Sequence, residues 1–453
     1  MGARCPQQPE TMNRPFASRV SWIATLACLW PVCATRPSFS YSVLTHEAII
    51  DSEWVDKIEP LLRARFPNAT PGQLHEAHAY AYGGAVIQDL GYYPFGSRFF
   101  SHLTHYVRTG DFVKALFEES QDLDDYAFAL GALSHYLADI QGHSIAVNRS
   151  VALLYPRLHQ RYGDWITWEE SPWAHVLTEF AFDTLEVVAR HNAPQAYRDW
   201  IGFRVAKPLL EHAFKRTYGL ELSHEFLDVD LSLAAYRRVA NEFVPEMTEV
   251  AWALRSKELE ERASGVHHQQ LYHLSPKCYA DWRKTYTKPG AGDKVTAFFF
   301  RLFPKFGPMS AFDFHTPTVQ TEQLFADSLK ATVSTYDTKL DAVEALNYGL
   351  PNIDLDTGRP TQPGEYAHCD RAYAELLHKL KGQHFAKVTS DLRDNLLSFY
   401  ADSEDDTFRN QPAKRRRVSS ELAELKASTA GKPRVSSGSS GASQFAAALG
   451  SSP

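Results

Sequence analysis

Between Tyr41 and about Arg255 apolar positions recur every three or four residues. The segment "DYAFALGALSHYLADI" sets Leu130, Leu133, Leu137 and Ile140 at 3-4-3 spacing, and "HVLTEFAFDTLEVV" behaves in the same way. That is the period of an amphipathic helix, and strand-like alternation with hairpin dipeptides is nearly absent. The pattern predicts an all-α domain over 41–255. From about Lys257 to Pro317 the text is rich in Lys, Pro, Gly and aromatics, with "KPGAG" and "FPKFGP" as breakers. Helical spacing returns in "VQTEQLFADSLKATVSTYDTKLDAVEAL" and from about Tyr366 to Tyr400, separated by the turn-rich "NYGLPNIDLDTGRPTQPGE". Residues 256–402 therefore read as an additional, mostly helical region. Beyond it the composition becomes Ser/Gly-rich ("RVSSGSSGASQ"), which predicts a disordered tail over 403–453, with the basic cluster Lys414 to Arg417 solvated within it.

The first forty residues follow a different pattern. Arg14 and Arg19 precede the apolar run "VSWIATLACLWPVCA", and small residues stand at its exit. A charged start, an apolar stretch of about 15 residues and a small-residue exit describe a secretory signal, and the run is short for a membrane span. Residues 1–40 are expected to be removed, after Ala34 or after Ser40, giving a secreted or periplasmic protein with no integral membrane span. Three of the five cysteines would leave with the leader, so Cys278 and Cys369 remain as a possible disulfide pair.

Across the 453 residues, 44% are apolar and 13% aromatic, enough for a large core, and the net charge of -7 is spread along the chain. With no basic footprint, duplex nucleic acid is disfavoured as a partner.

The candidate chemistry lies in "GALSHYLADIQGH", where His135, Asp139 and His143 stand four residues apart. On a helix such residues share one face. A wet face ordinarily carries Lys, Glu and Gln, but Phe128, Gly131, Ala132, Ala138 and Gly142 keep these three company, and small neighbours suggest a close approach. Imidazole and carboxylate are zinc ligands. A second i,i+4 pair, His175 and Glu179, follows in "SPWAHVLTEFAFD"; Asp183 and Glu186 beside it would fit an ordinary solvated face. Upstream, Asp89 ends an apolar, Gly-containing segment, "FFSHLTHYV" offers His102 and His105, and His46 heads an amphipathic helix five residues after Tyr41.

In order, these residues resemble the zinc-dependent phospholipase C family and the related single-strand-specific zinc nucleases, which share its helical fold. The resemblance covers roughly Tyr41 to Phe182. It implies up to three Zn2+ ions per chain in a helical domain. Asp89, His105 (with His102 as rival), His135 and Asp139 would hold one. Asp139 would bridge to a second, completed by His46 and the amine and carbonyl of Tyr41 as the mature N-terminus, which requires cleavage after Ser40. His143, His175 and Glu179 would hold the third, although His143 follows Asp139 more closely than the family pattern has it. The implied activity is phosphodiester hydrolysis, with Asp89, partly exposed at the cleft, as general base. Glu179 follows the phospholipase branch, and the spacing of Tyr41 to His46 follows the nuclease branch. The resemblance thus implies a phospholipid or other phosphodiester substrate, with a single-strand nuclease as the alternative. A non-catalytic helical metal-binding protein is the reading from a different class.

Overall fold

The computed structural model describes residues 43–189, 202–263, 313–343, 349–401, 408 and 411–428. The leader with both cleavage points, Tyr41, Cys278 and the Ser/Gly-rich end lie outside them. Helices dominate the described residues, and their one sheet is a two-stranded hairpin, so the fold is all-α.

Local sequence sets where the helices begin. The first helix, α1 (Val43–Glu53), runs through a π-helical turn (Trp54–Ile58) into α2 (Glu59–Arg65). Helix α3 (Pro71–Gly84) opens on a capping box: Thr70 accepts from the backbone of Gln73 while Gln73 reaches back to Thr70, and Pro71 fills the first turn. A 3-10 turn (Ile87–Tyr92) leads to α4 (Arg98–Tyr106) and α5 (Thr109–Glu119). The central helix, α6 (Leu123–Gln141), starts at Asp122, whose carboxylate accepts from the backbone N–H groups of Asp124 and Asp125. Such a cap contributes about 1 kcal/mol. Beyond α6 come a π-helical turn (Gly142–Val147), α7 (Asn148–Leu154), α8 (Pro156–Tyr162) and α9 (Pro172–Val188).

The small residues of α6 have a packing reason. At Gly131 an added Cβ would stand 2.0 Å from the carbonyl oxygen of Ala81, and at Gly84 it would stand 2.0 Å from that of Phe128. Glycine at both points lets α3 and α6 cross backbone to backbone. The close approach foreseen along this face is that of another helix.

After α10 (Lys207–Tyr218) and α11 (Val229–Arg238), α12 (Val244–Leu254) and α13 (Ser256–Ala263) complete the region up to 263. The C-terminal part adds α14 (Val319–Val343), a hairpin of β1 (Ile353–Asp354) and β2 (Arg359–Pro360), and then α15 (Ala367–Gly382), α16 (Ser390–Phe399) and α17 (Pro412–Ala427). These elements share one continuous core with the described helices between 43 and 263. Phe182 stacks on Phe325 at 4.7 Å, and the Tyr336 hydroxyl donates to the carbonyl of Leu130 at 3.0 Å.

Helix α17 corrects the expectation of a disordered tail starting at 403. Its basic cluster masks apolar positions, Val418, Leu422 and Leu425, that return at helical spacing and turn inward, burying Val418 and Leu425. Cys369 is buried and its thiol donates to Asp354.

Candidate metal centre

Three elements converge on α6. Helix α1 brings His46, the 3-10 turn brings Asp89, α4 brings His105, and α6 itself carries His135 and Asp139. The position of α1 is fixed by Asp183 of α9, whose carboxylate accepts from the backbone N–H groups of Leu44 and Thr45 at 3.1 and 3.2 Å and from the Thr45 hydroxyl at 2.5 Å. A carboxylate there both satisfies first-turn donors and meets the positive end of the helix. Asp183 and Glu186 are thus buried, not part of a solvated face.

Asp139 is the hub of the first group. One carboxylate oxygen, Oδ1, lies 3.6 Å from His46 Nε2, while Oδ2 lies 3.3 Å from His105 Nε2 and 3.2 Å from His135 Nε2. Asp89 Oδ1 stands 3.3 Å from His105 Nε2. The His46 ring stacks on that of His135 at 4.6 Å. The far sides of two rings are pinned: His135 Nδ1 donates to the carbonyl of Ala85 at 2.9 Å, and His105 Nδ1 to that of Ser101 at 2.8 Å. A carbonyl can only accept, so each Nδ1 carries a proton and each Nε2 is aimed inward. This is the outer support that metal-binding histidines use. The Ala85 carbonyl is within reach only because Gly84 and Gly131 let α3 come so close.

His143 does not continue the line of His135 and Asp139. It falls in the π-helical turn, whose wider winding swings it toward α9. There it forms a second group with His175 and Glu179. The two imidazoles stack at 5.7 Å, and His175 Nδ1 is 3.9 Å from Glu179 Oε1. His175 Nε2 donates to the carbonyl of Ile166 at 2.7 Å, leaving Nδ1 to face Glu179. The short spacing from Asp139 to His143 is therefore absorbed by a change of helix type.

All eight of these side chains are at most 2% exposed. Burying three carboxylates with no compensating cation is costly, and the principal charges acting on them are other carboxylates and histidines, with no lysine or arginine among them. Burial, then Asp89 and Asp139, pushes the Glu179 carboxyl well above the usual carboxylate range. Burial drives Asp89 upward as well, against the pull of His105. Burial depresses His143 to about 4 and His175 to about 3. His105 goes the other way: burial opposes its charge, but its hydrogen bonds to the Asp139 and Asp89 carboxylates outweigh that and raise it well above the ordinary histidine range. The point between His105, Asp89 and Asp139 draws positive charge.

The donor atoms fit a bound cation. Each of three sets (His46, Asp89 and His135; His105, His135 and Asp139; His143, His175 and Glu179) has ligand atoms within 4.8 Å of one another. Ligands of a tetrahedral zinc stand about 3.4 Å apart, a span reached by small side-chain shifts. Both oxygens of Glu179, Nδ1 of His175 and Nε2 of His143 are buried without a hydrogen bond. Nitrogen and oxygen donors in this ratio suit zinc.

Between the rival histidines the geometry distinguishes sharply. His105 enters the first group, whereas His102, one turn earlier, packs against Tyr92, Tyr106 and His368. Asp89, expected to be partly exposed, is 1% exposed, because the 3-10 turn carries it inward under Tyr92 and Tyr93. Tyr41 lies outside the described residues. One residue at the centre was not foreseen. Asp356, in the hairpin turn, stands 3.9 Å from His143 Nε2 and receives the hydroxyls of Tyr106 and Tyr366. The alternation of Ile353, Asp354, Leu355 and Asp356 is a strand signal that the surrounding Pro and Gly obscure.

Among the described residues no helix is long and apolar enough to cross a membrane. Comparison with curated proteins and with solved structures finds no match. A family model described as zinc dependent phospholipase C matches residues 45–228, a stretch that holds His46, Asp89, His105, His135, Asp139, His143, His175 and Glu179 and stops short of Asp356. Together with the helical fold and the buried histidine–carboxylate groups, this match identifies residues 45–228 as belonging to the zinc-dependent phospholipase C family.

Proposed function

We propose that the protein is a phospholipase C-type hydrolase that cleaves the phosphodiester of a phospholipid head group. The observation that carries this is the burial, in two adjoining groups, of five imidazoles and three carboxylates whose principal neighbouring charges are one another. In this reading Asp89, His105, His135 and Asp139 would hold one zinc, and Asp139 would also serve a second, together with His46 and the amine and carbonyl of Tyr41. His143, His175 and Glu179 hold the third. Zinc bound there supplies Lewis acidity toward a phosphoryl oxygen and lowers the pKa of water.

The chain's own groups do the rest. With only three carboxylates among the eight side-chain donors, divalent ions held there would keep surplus positive charge, which would favour an anionic ester and its more highly charged transition state. Asp89 Oδ2 takes no hydrogen bond within the protein, so it is available to accept a proton from an attacking water as general base. The Ala85 and Ser101 carbonyls hold the His135 and His105 rings against rotation, which keeps the donor set in place without reorganisation. Glu179 in the last ligand position supports the phospholipase over the nuclease branch. Export with loss of residues 1–40 belongs to the same reading, supported by the basic and apolar leader.

The test is metal content of the mature protein together with hydrolysis of phosphatidylcholine vesicles and of single-stranded DNA. Two or three zinc per chain with chelator-sensitive lipid cleavage is the expected result. Zinc with DNA cleavage alone would move the activity to the nuclease branch. Zinc with neither would leave a metal-binding protein, and absence of zinc would overturn the reading altogether.

A further inference from the structure

The hairpin at 353–360 lies outside the family-matched segment, yet it is fastened into the metal centre on every side. Leu355 N–H donates to the carbonyl of His105 at 3.1 Å. Asn148 Nδ2 donates to the carbonyl of Asp356 at 2.8 Å, and the Tyr136 hydroxyl to that of Pro351 at 2.6 Å. Thr109 Oγ1 donates to the Ile353 carbonyl at 2.8 Å and accepts from its N–H at 3.0 Å. Gly358 turns the hairpin at φ 69°, a conformation that disfavours a side chain, with Ile140 and Ser144 directly beneath it.

These contacts fix the side chain of Asp356, which is 3% exposed. The hydroxyls of Tyr106 and Tyr366 donate to its Oδ2 at 2.8 and 2.5 Å. The carboxylate is thereby oriented with Oδ1 toward His143 Nε2, at 3.9 Å. That separation is too long for a hydrogen bond and close to the spacing of two ligands on one zinc. Its charge bears on His175 and Glu179 as well.

We propose that Asp356 is a fourth protein ligand of the metal held by His143, His175 and Glu179, supplied by the C-terminal region. This rests on the reading of the cluster as a zinc centre. Two imidazoles and one carboxylate leave a net charge on a buried divalent ion; a second carboxylate neutralises it, which a water-poor site favours. Four protein ligands close the position, as in structural zinc sites. Surplus positive charge then concentrates on the pair held by His46, Asp89, His105, His135 and Asp139, where a phosphodiester would bind. The C-terminal region thus completes the centre instead of merely covering it.

The test compares full-length wild type with H143A, D356N and Y366F, reading zinc per chain after passage over a chelating resin and the visible spectrum of the cobalt-substituted protein. D356N is expected to lose the same single ion as H143A, and its cobalt spectrum to change. Y366F keeps the carboxylate but loses one bond that aims it, and is expected to bind that ion about 10-fold more weakly. If D356N does not fold, as near-ultraviolet circular dichroism would show, Y366F decides. Wild-type stoichiometry, chelator resistance and cobalt spectrum in the folded variants would overturn the proposal. A wild type that holds no zinc would instead overturn the zinc-centre reading beneath it.

Discussion

The two halves of the centre are built in opposite ways. The group around Asp139 is crowded: its carboxylate oxygens have three imidazole nitrogens within 3.2–3.6 Å, and two of the rings are pinned from behind by carbonyls. The group around Glu179 is sparse, with donor atoms 3.9 Å apart and no hydrogen bond on either Glu179 oxygen. The described ligand side chains of the crowded half all come from elements between 43 and 141, whereas the sparse half draws on α9 and, in the proposal above, on the carboxylate of residue 356. A dense set of ligands packed against one another is positioned mainly by the helices that carry it, but an open set depends more on a distant segment to hold its shape.

The most disruptive way to probe this contrast is to remove Asp139. One carboxylate facing three imidazoles serves two candidate positions, so D139A is expected to lose two ions and to cut turnover by about 1,000-fold or more, the scale of losing a principal source of charge stabilisation. E179A is expected to lose one ion only. Metal analysis of the two variants separates them, and a simultaneous loss of every ion in E179A would mean that the halves are a single unit.

A backbone change is expected to have a smaller effect, confined to the crowded half. In G131A the new methyl meets the Ala81 carbonyl, and α3 and α6 must part. The variant is expected to lose about 2–4 kcal/mol of stability, the range for forced overpacking. As the Ala85 carbonyl withdraws from His135, zinc affinity in that half falls, whereas the His143 position keeps its ion. Denaturant unfolding with metal analysis measures both. Equal weakening of the two halves would show that α3 does not position His135.

Much of this was legible in the chain. The 3-4-3 spacing of Leu130, Leu133, Leu137 and Ile140 predicts α6, and eight titratable residues in a recurring order point to the group that the fold gathers. What local pattern conceals is of another kind. The switch to π-helix at Gly142, which sends His143 to a different set from Asp139, falls where α14 packs on that turn, a tertiary contact with no local signature. Asp356 sits in a stretch whose Pro and Gly mark a turn, and nothing nearby in sequence says that the turn is buried against His105 and Asn148. Helix α17 is masked by its own arginines. The face of small residues on α6 also carries two meanings at once. It admits α3, and in doing so it delivers the carbonyl that orients His135.

The smallest expected effect separates His102 from His105. Burial, then the charges of His105 and Arg371, depresses His102 to about 4, and burial with Arg371 lowers its neighbour His368 to about 3. The unfolded chain takes up protons on these rings near pH 6.5, while the folded protein refuses them until about pH 4. Between those values the unfolded state binds more protons, so this part of the stability is fully present above pH 6.5 and is lost as the pH falls toward 4. H102Q removes one such group, and unfolding of the chelator-treated protein at pH 7.5 and 5 should then show a shallower loss than in wild type. Its zinc content at neutral pH should be unchanged. A lost ion in H102Q would place His102 among the ligands and remove the distinction that the geometry draws between two histidines one turn apart.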